Sequence, residues 1–316
     1  MGGIKTSSNK HRFCTEFGIE NQFIKSKGGD VNKGIKFYFF KEKVKDIALT
    51  FDFVVNLKLL ILRLNSCKNC ETMFRNAMKN LEIWKKTKRN KPLIIKGERQ
   101  VGKTWLMIEF GKKFYKNVAY FSFDNSPMLD NLFRHGMDVR KILDGLSIAA
   151  GFKISPKNTL IIFDEIQENP MAMTSLKNFC ENAPEYDVIA AGSLLGVSEH
   201  KGTGFPVGKV DYLNLYPLNF QEFLFAIGEE QLLKIIQDNN FEMQKVFKDK
   251  IIDLLRRYLY VGGMPAIVGS YAQNQDYQEV RRLQINLLAD YENDFSKHIS
   301  KEHVERTRLL WNAIPS

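Results

Sequence analysis

Residues 97–104 read Gly97-Glu98-Arg99-Gln100-Val101-Gly102-Lys103-Thr104. They fit G-x-x-x-x-G-K-[ST], the Walker A phosphate loop. Two glycines let the backbone wrap an anion and turn its N–H groups inward. Lys103 has the reach to touch β- and γ-phosphates, and the Thr104 hydroxyl suits Mg²⁺. The flanks agree with the pattern. Residues 92–96 are apolar enough for a short buried strand, and residues 105–110 read as the first turns of a helix. A helix starting there aims its partial positive charge at the phosphates. Gly97, Val101, Gly102, Lys103, Thr104 and Trp105 are the expected nucleotide-binding residues, although helix packing accounts for Trp105 best.

A second constellation narrows the chemistry. Leu160-Ile161-Ile162-Phe163 is an apolar strand tipped by Asp164 and Glu165. This is the Walker B pattern. Asp164 is expected to hold Mg²⁺ through its water shell, together with Thr104, because Mg²⁺ takes few carboxylates and keeps waters. Glu165 is expected to orient and polarise an attacking water. Lys103 and Asp164 stand 61 positions apart. Parallel strands bring such residues to one sheet edge, where ligands bind. Ser193, at the end of the strand 186–191, is a candidate sensor of the γ-phosphate, or else a turn serine. Gln167 either bonds the acidic pair or caps the next helix. Glu98 and Arg99 fall inside the loop but suit structural or interface roles better than catalysis.

The elements that carry these residues form an alternating pattern. Apolar strands at 92–96, 117–124, 159–163, 186–191 and 210–215 alternate with helical segments such as 171–181, which argues for a parallel sheet covered on both faces. Ahead of them, Phe74, Ala77, Met78, Leu81 and Trp84 recur at helical spacing. From about residue 220 the pattern is helical. Ile251, Leu254, Leu255, Tyr258 and Leu259 form one expected stripe, and Leu283, Leu287, Leu288, Tyr291 and Phe295 another. Gly262-Gly263-Met264-Pro265 makes a turn between them. The expected divisions are a poorly defined extension over 1–72, an ATPase core over 73–225 and a helical region over 226–316.

Composition excludes other classes. The 316 residues are 44% hydrophobic and 26% charged, as in an ordinary globular chain. The most apolar run, 48–64, is interrupted by Asp52, Lys58 and Arg63, so no membrane span is expected and a cytoplasmic location follows by default. The net charge of +10 is concentrated at the front. Residues 1–70 hold 13 Lys and Arg against 6 Asp and Glu, and the remainder holds 33 against 30. Bulk charge therefore gives a nucleic-acid partner no support. Cys67 and Cys70 have C-x-x-C spacing without a second ligand pair, and read as incidental thiols beside Cys14 and Cys180. His298 and His303 fall on different helix faces.

The ordered set of the Walker A residues, Phe163-Asp164-Glu165-Ile166-Gln167, Ala191-Gly192-Ser193-Leu194-Leu195-Gly196, Pro206-Val207-Gly208-Lys209-Val210, the run 215–224 and Gly262-Gly263-Met264-Pro265 resembles a prokaryotic family of AAA+ ATPases. Its members pair an AAA domain with a C-terminal domain of unknown function. The resemblance covers residues 73–316. It implies an α/β P-loop NTPase fold of the additional-strand type. The five-stranded parallel sheet would have the order 5-1-4-3-2, followed by a helical lid or winged-helix-like region. It also implies ATP with Mg²⁺, and the roles given above for Asp164 and Glu165. On this reading the chain resembles a member truncated after Ser316. Arg256, Arg257, Arg281 and Arg282 become candidates for the arginine that completes such a site, with Lys209 as an alternative cation. ATP, a second copy of the chain or a protein are the expected partners. A nucleotide-controlled switch without turnover is the rival reading. A decayed fragment is a third.

Overall fold

In the computed structural model, residues 74–87, 90–134, 138–193, 206, 208–298 and 301–314 are described. The expectations for residues 1–72, Cys14, Cys67, Cys70, Val207 and residues 194–196 lie outside them.

Helix α1 (Ala77–Thr87) leads into strand β1 (Leu93–Gly97), and α2 (Lys103–Phe114) follows the phosphate loop. Then come β2 (Asn117–Ser122), α3 (Pro127–Arg134), α4 (Val139–Ala150) and β3 (Thr159–Asp164). A 3-10 turn (Ile166–Glu168), α5 (Pro170–Asn182), β4 (Asp187–Ser193) and β5 (Asp211–Leu215) complete the sheet region. All strand pairings are parallel, in the order β2-β3-β4-β1-β5. This is the order 5-1-4-3-2 that the resemblance implies. Among the described residues seven helices follow: α6 (Phe220–Ala226), α7 (Glu230–Gln237), α8 (Phe241–Val246), α9 (Lys248–Val261), α10 (Pro265–Asn274), α11 (Tyr277–His298) and α12 (Lys301–Ala313).

Strand alternation divides the apolar residues between two faces. Ile94, Phe121, Ile161, Phe163 and Ala190 pack with α3, α4 and α5. Leu93, Ile95, Leu160, Ile162 and Ala191 pack with α1 and α2. Phe163 sits at the centre of the first face, with the rings of Phe121, Phe123, Phe133 and Phe179 around it at centroid distances of 5.5–6.2 Å. Edge-to-face packing of this kind adds to the burial energy. A third cluster joins α6, α9, α10 and α11 through Phe223, Val261, Val268, Tyr271 and Val280.

Several boundaries differ from the sequence reading. β1 runs one residue further, because Gly97 pairs with both Ser193 and Leu215. β2 stops at Ser122, which is the partner of Asp164 at the end of β3. The two lid stripes are narrower than expected. On α9, Leu254 and Val261 are buried, while Leu255 and Leu259 are exposed. Positions 254, 258 and 261 share the face toward α6, and 255 and 259 lie about a quarter-turn away. Leu288 is exposed on α11 for the same reason.

The segment ahead of the sheet is tied down by polar contacts. Asn219 and Glu222 form a capping box at the start of α6. Glu222 Oε1 also accepts from the Asn76 N–H at 2.7 Å, and the buried Arg75 guanidinium donates to the Tyr216 carbonyl at 2.6 Å.

Removing the Phe163 ring should cost about 3–5 kcal/mol of unfolding free energy, since it leaves a cavity among four other rings. Urea denaturation of Phe163→Ala measures this. A loss below about 1 kcal/mol would contradict the packing described.

Candidate active site

The phosphate loop joins β1 to α2, and its conformation follows from two glycines. A Cβ at Gly97 would lie 2.5 Å from the Leu215 carbonyl oxygen, so only glycine fits where β1 passes β5. Gly102 has φ 94°, which glycine adopts readily and other residues avoid. Among the described residues no side chain caps α2 at Gly102. The first-turn N–H groups are therefore not covered by a cap, and the helix end carries its partial positive charge into the loop. Val101 is fully buried and anchors the loop to the core. Trp105 packs against that same core on α2, which is the packing role its position suggested.

Lys103 folds back over the loop. Its ammonium donates to the carbonyls of Gly97 at 3.0 Å and Glu98 at 2.9 Å. Burial lowers its pKa, while the charges of Glu165, Asp164 and Glu98 oppose that shift.

Asp164 closes β3 on the same sheet edge. It is buried, and three donors share its two oxygens. The Thr104 hydroxyl donates to Oδ2 at 2.6 Å, the Tyr120 hydroxyl to Oδ2 at 2.9 Å, and the Glu165 N–H to Oδ1 at 3.1 Å. Burial raises the carboxyl pKa and the Glu165 charge adds to this, whereas the three hydrogen bonds pull it down. Tyr120 is pushed up in turn by its own burial and by the Asp164 charge.

Glu165 has φ 51° and ψ 43°, left-handed backbone that non-glycine residues seldom adopt. Such conformations concentrate where function requires them. Gln167 Nε2 donates to its Oε2 at 2.6 Å, so of the two readings for Gln167 the bond to the acidic pair is the one observed. Ser193 ends β4, in register with Gly97 and between β1 and β3. The sheet thus brings Gly97–Thr104, Asp164, Glu165 and Ser193 to one edge.

The basic candidates are distributed differently. Lys209 precedes β5, whose first residue is in register with Leu93 at the start of β1. It therefore lies at the opposite edge from the loop, where it pairs with Glu181 at 3.0 Å. This corrects the expectation of a cation at the nucleotide edge. Arg257 pairs with Asp253 on its own helix and also bonds Tyr271 on α10, while Arg282 pairs with Glu279 and Arg281 with Gln284 within α11. Arg256 is exposed. Arg99 contacts Asp294 on α11.

The spacing of motifs did not point to Tyr120, Asp290, Tyr291 or Asp294. Tyr120 shares strand parity with Ser122, the register partner of Asp164, and that parity is the one signal that could have found it.

The donor set fits a magnesium nucleotide. Thr104 and Asp164 present hard oxygens converging on one point, beside a loop whose backbone approach needs glycine. Among the described residues no group of three or more His, Cys, Asp or Glu forms a closed metal cage. No helix among them is long and apolar enough to cross a membrane.

Residues 89–224 match the family model of an AAA domain. Residues 252–316, within the stretch read as a lid, match a domain of unknown function. An uncharacterized protein of Methanocaldococcus jannaschii is 25% identical over 231 residues. The match covers 67% of this chain and 46% of that protein, so the chain spans about half the length of its curated relative. Among solved structures, the Walker-type ATPase of Pyrococcus abyssi has 12% identity, a TM-score of 0.42 and coverage of 78% of both chains. The replication initiator DnaA bound to AMPPCP and single-stranded DNA has 14% identity and a TM-score of 0.40, with 74% of this chain and 72% of that one covered.

Replacing Tyr120 by Phe removes one donor from a buried carboxylate. A hydrogen bond to a charged group is worth about 1.5–3 kcal/mol. Tyr120→Phe should lose that much stability in chemical denaturation at neutral pH, and an unchanged midpoint would contradict the bond to Asp164.

Proposed function

We propose, for a chain whose residues 89–224 match an AAA domain and whose residues 252–316 match a domain of unknown function, that the loop edge binds ATP and hydrolyses it to ADP and phosphate. The observation that carries this reading is the Thr104–Asp164 hydrogen bond. It brings the loop hydroxyl and the acidic strand end together at 2.6 Å.

The roles follow from position. Backbone N–H groups of residues 97–104 and the start of α2 hold the phosphates. Lys103 exchanges the Gly97 and Glu98 carbonyls for phosphate oxygens and offsets the charge that grows during transfer. Thr104 and Asp164 would hold Mg²⁺, which when bound neutralises phosphate charge. Glu165 orients water and accepts its proton, with its carboxylate aimed by Gln167. Ser193 stands between the two motifs, where a hydroxyl can bond the γ-phosphate. The ATPase core is taken as residues 73–225, and residues 226–316 as the helical region.

Purified protein tests the assignment through phosphate release. Glu165→Gln should lower the rate by at least about 100-fold, the lower range for general-base catalysis, with ATP binding retained. Lys103→Ala should lose both. A nucleotide-controlled switch is the competing reading, favoured by contacts between α11 and the loop. Equal, negligible release by wild type and Glu165→Gln, with intact binding, would select the switch and reject hydrolysis.

A further inference from the structure

Helix α11 lies within the stretch matching the domain of unknown function, yet it grips the phosphate loop. Asp290 Oδ2 accepts from Gln100 Nε2 at 2.9 Å. The Tyr291 hydroxyl donates to the Arg99 carbonyl at 2.9 Å. Both carboxylate oxygens of Asp294 accept from Arg99 Nη1. Positions 290, 291 and 294 fall on one side of a helix. They engage consecutive loop residues through two side chains and one backbone group. The first turn of α10 meets the other end of the loop, where a Cβ on Gly102 would come within 3.6 Å of Pro265.

The character of these contacts is informative. Half-exposed ion pairs add little to stability, so they are a poor way to hold a helix to a domain. They are a good way to fix a loop. Gln100 has φ 63°, left-handed backbone that a glutamine adopts at a cost, and its side chain is held by Asp290. The Arg99 carbonyl, one residue earlier, is held by Tyr291. The peptide unit between Arg99 and Gln100, and the side chains on either side of it, are thereby held between Gly97 and Gly102. Partial burial lowers the Arg99 pKa, but the hydrogen bond and charge of Asp294 outweigh it, with Glu165 and Asp290 adding to the rise. Arg99 stays charged throughout.

We propose that Asp290, Tyr291 and Asp294 are positioning residues for the phosphate loop. They hold residues 99–100 in the conformation that cradles phosphates, so that nucleotide binding and docking of α11 strengthen one another. The proposal rests on the reading of this loop as an ATP site. Coupling between two binding events is reciprocal. A helix that tightens the loop around a nucleotide is itself tightened when the nucleotide binds. The domain of unknown function thereby reads the occupancy of the AAA domain directly, through the outward face of the loop.

The test has two measurements on the full chain. Binding of a fluorescent ATP analogue with Mg²⁺ is titrated for wild type, Asp294→Asn, Arg99→Asp, Asp294→Arg and the double charge swap. Hydrogen exchange of residues 277–298 is followed in wild type with and without Mg²⁺ and ATP. Asp294→Asn should raise the Kd about fivefold, near the upper range for an exposed pair. Each reversed charge should raise it further, and the double swap should bring it back toward wild type. Amides of α11 should exchange more slowly with nucleotide. Single variants within about twofold of wild type, or α11 exchange unchanged while residues 97–104 become protected, would overturn the proposal and leave the ATP site standing. No binding by wild type would sink the ATP reading, and this proposal with it. Should a reversed-charge variant fail to fold, the exchange of the wild-type helix decides alone.

Discussion

The hydrogen bond from Thr104 to Asp164 is the contact on which the site depends. It joins the first turn of α2 to the last residue of β3, and only the strand order makes that possible. With β4 inserted between β1 and β3, the two ends stand two strands apart, which is roughly 10 Å at the usual strand spacing. A helix rising from the β1 loop and a carboxylate at the tip of β3 can meet across that gap. Ser193, on the intervening strand, is then necessarily between them. The buried Asp164 is tolerable because Thr104, Tyr120 and the Glu165 N–H all donate to it. The backbone turn that supplies the third donor also places Glu165 in left-handed geometry, so one local conformation serves both acidic residues.

The residues whose work is local were legible in the sequence. Gly102 is required by its own φ, Lys103 acts within its own loop, and the strand carrying Asp164 announces itself by four apolar residues in a row. Apolar alternation likewise revealed a sheet covered on two faces. What sequence spacing concealed depends on meeting a distant residue through polar atoms. Asp290 and Asp294 lie about 190 positions beyond the loop, and polar pairs leave no periodic trace. Tyr120 looked like any aromatic residue in a strand. Lys209 shows a different lapse. A residue that precedes a strand lies at the opposite sheet edge from residues that follow parallel strands. Chain order alone was enough to separate it from the loop. The exposed Leu255 and Leu259 show how a stripe counted too broadly joins two helix faces, of which the packing uses one.

The helical region and the loop are held together by unlike forces. Aromatic and aliphatic packing binds α6, α9, α10 and α11 to each other. Around the loop the contacts turn polar and partly exposed, as in Arg99 with Asp294 and Gln100 with Asp290. A contact of that kind adds little to stability, and the apolar cluster behind it is what packs α11 against α6, α9 and α10. At this polar seam the phosphate edge meets residues 252–316.

The claim that this edge is a magnesium-dependent nucleotide site is tested most directly by calorimetric titration of the purified chain with ATP, with and without Mg²⁺. The account predicts one site per chain, tightened by Mg²⁺, with that tightening lost in Thr104→Ala. Absence of saturable binding, or binding indifferent to both Mg²⁺ and Thr104, would contradict it.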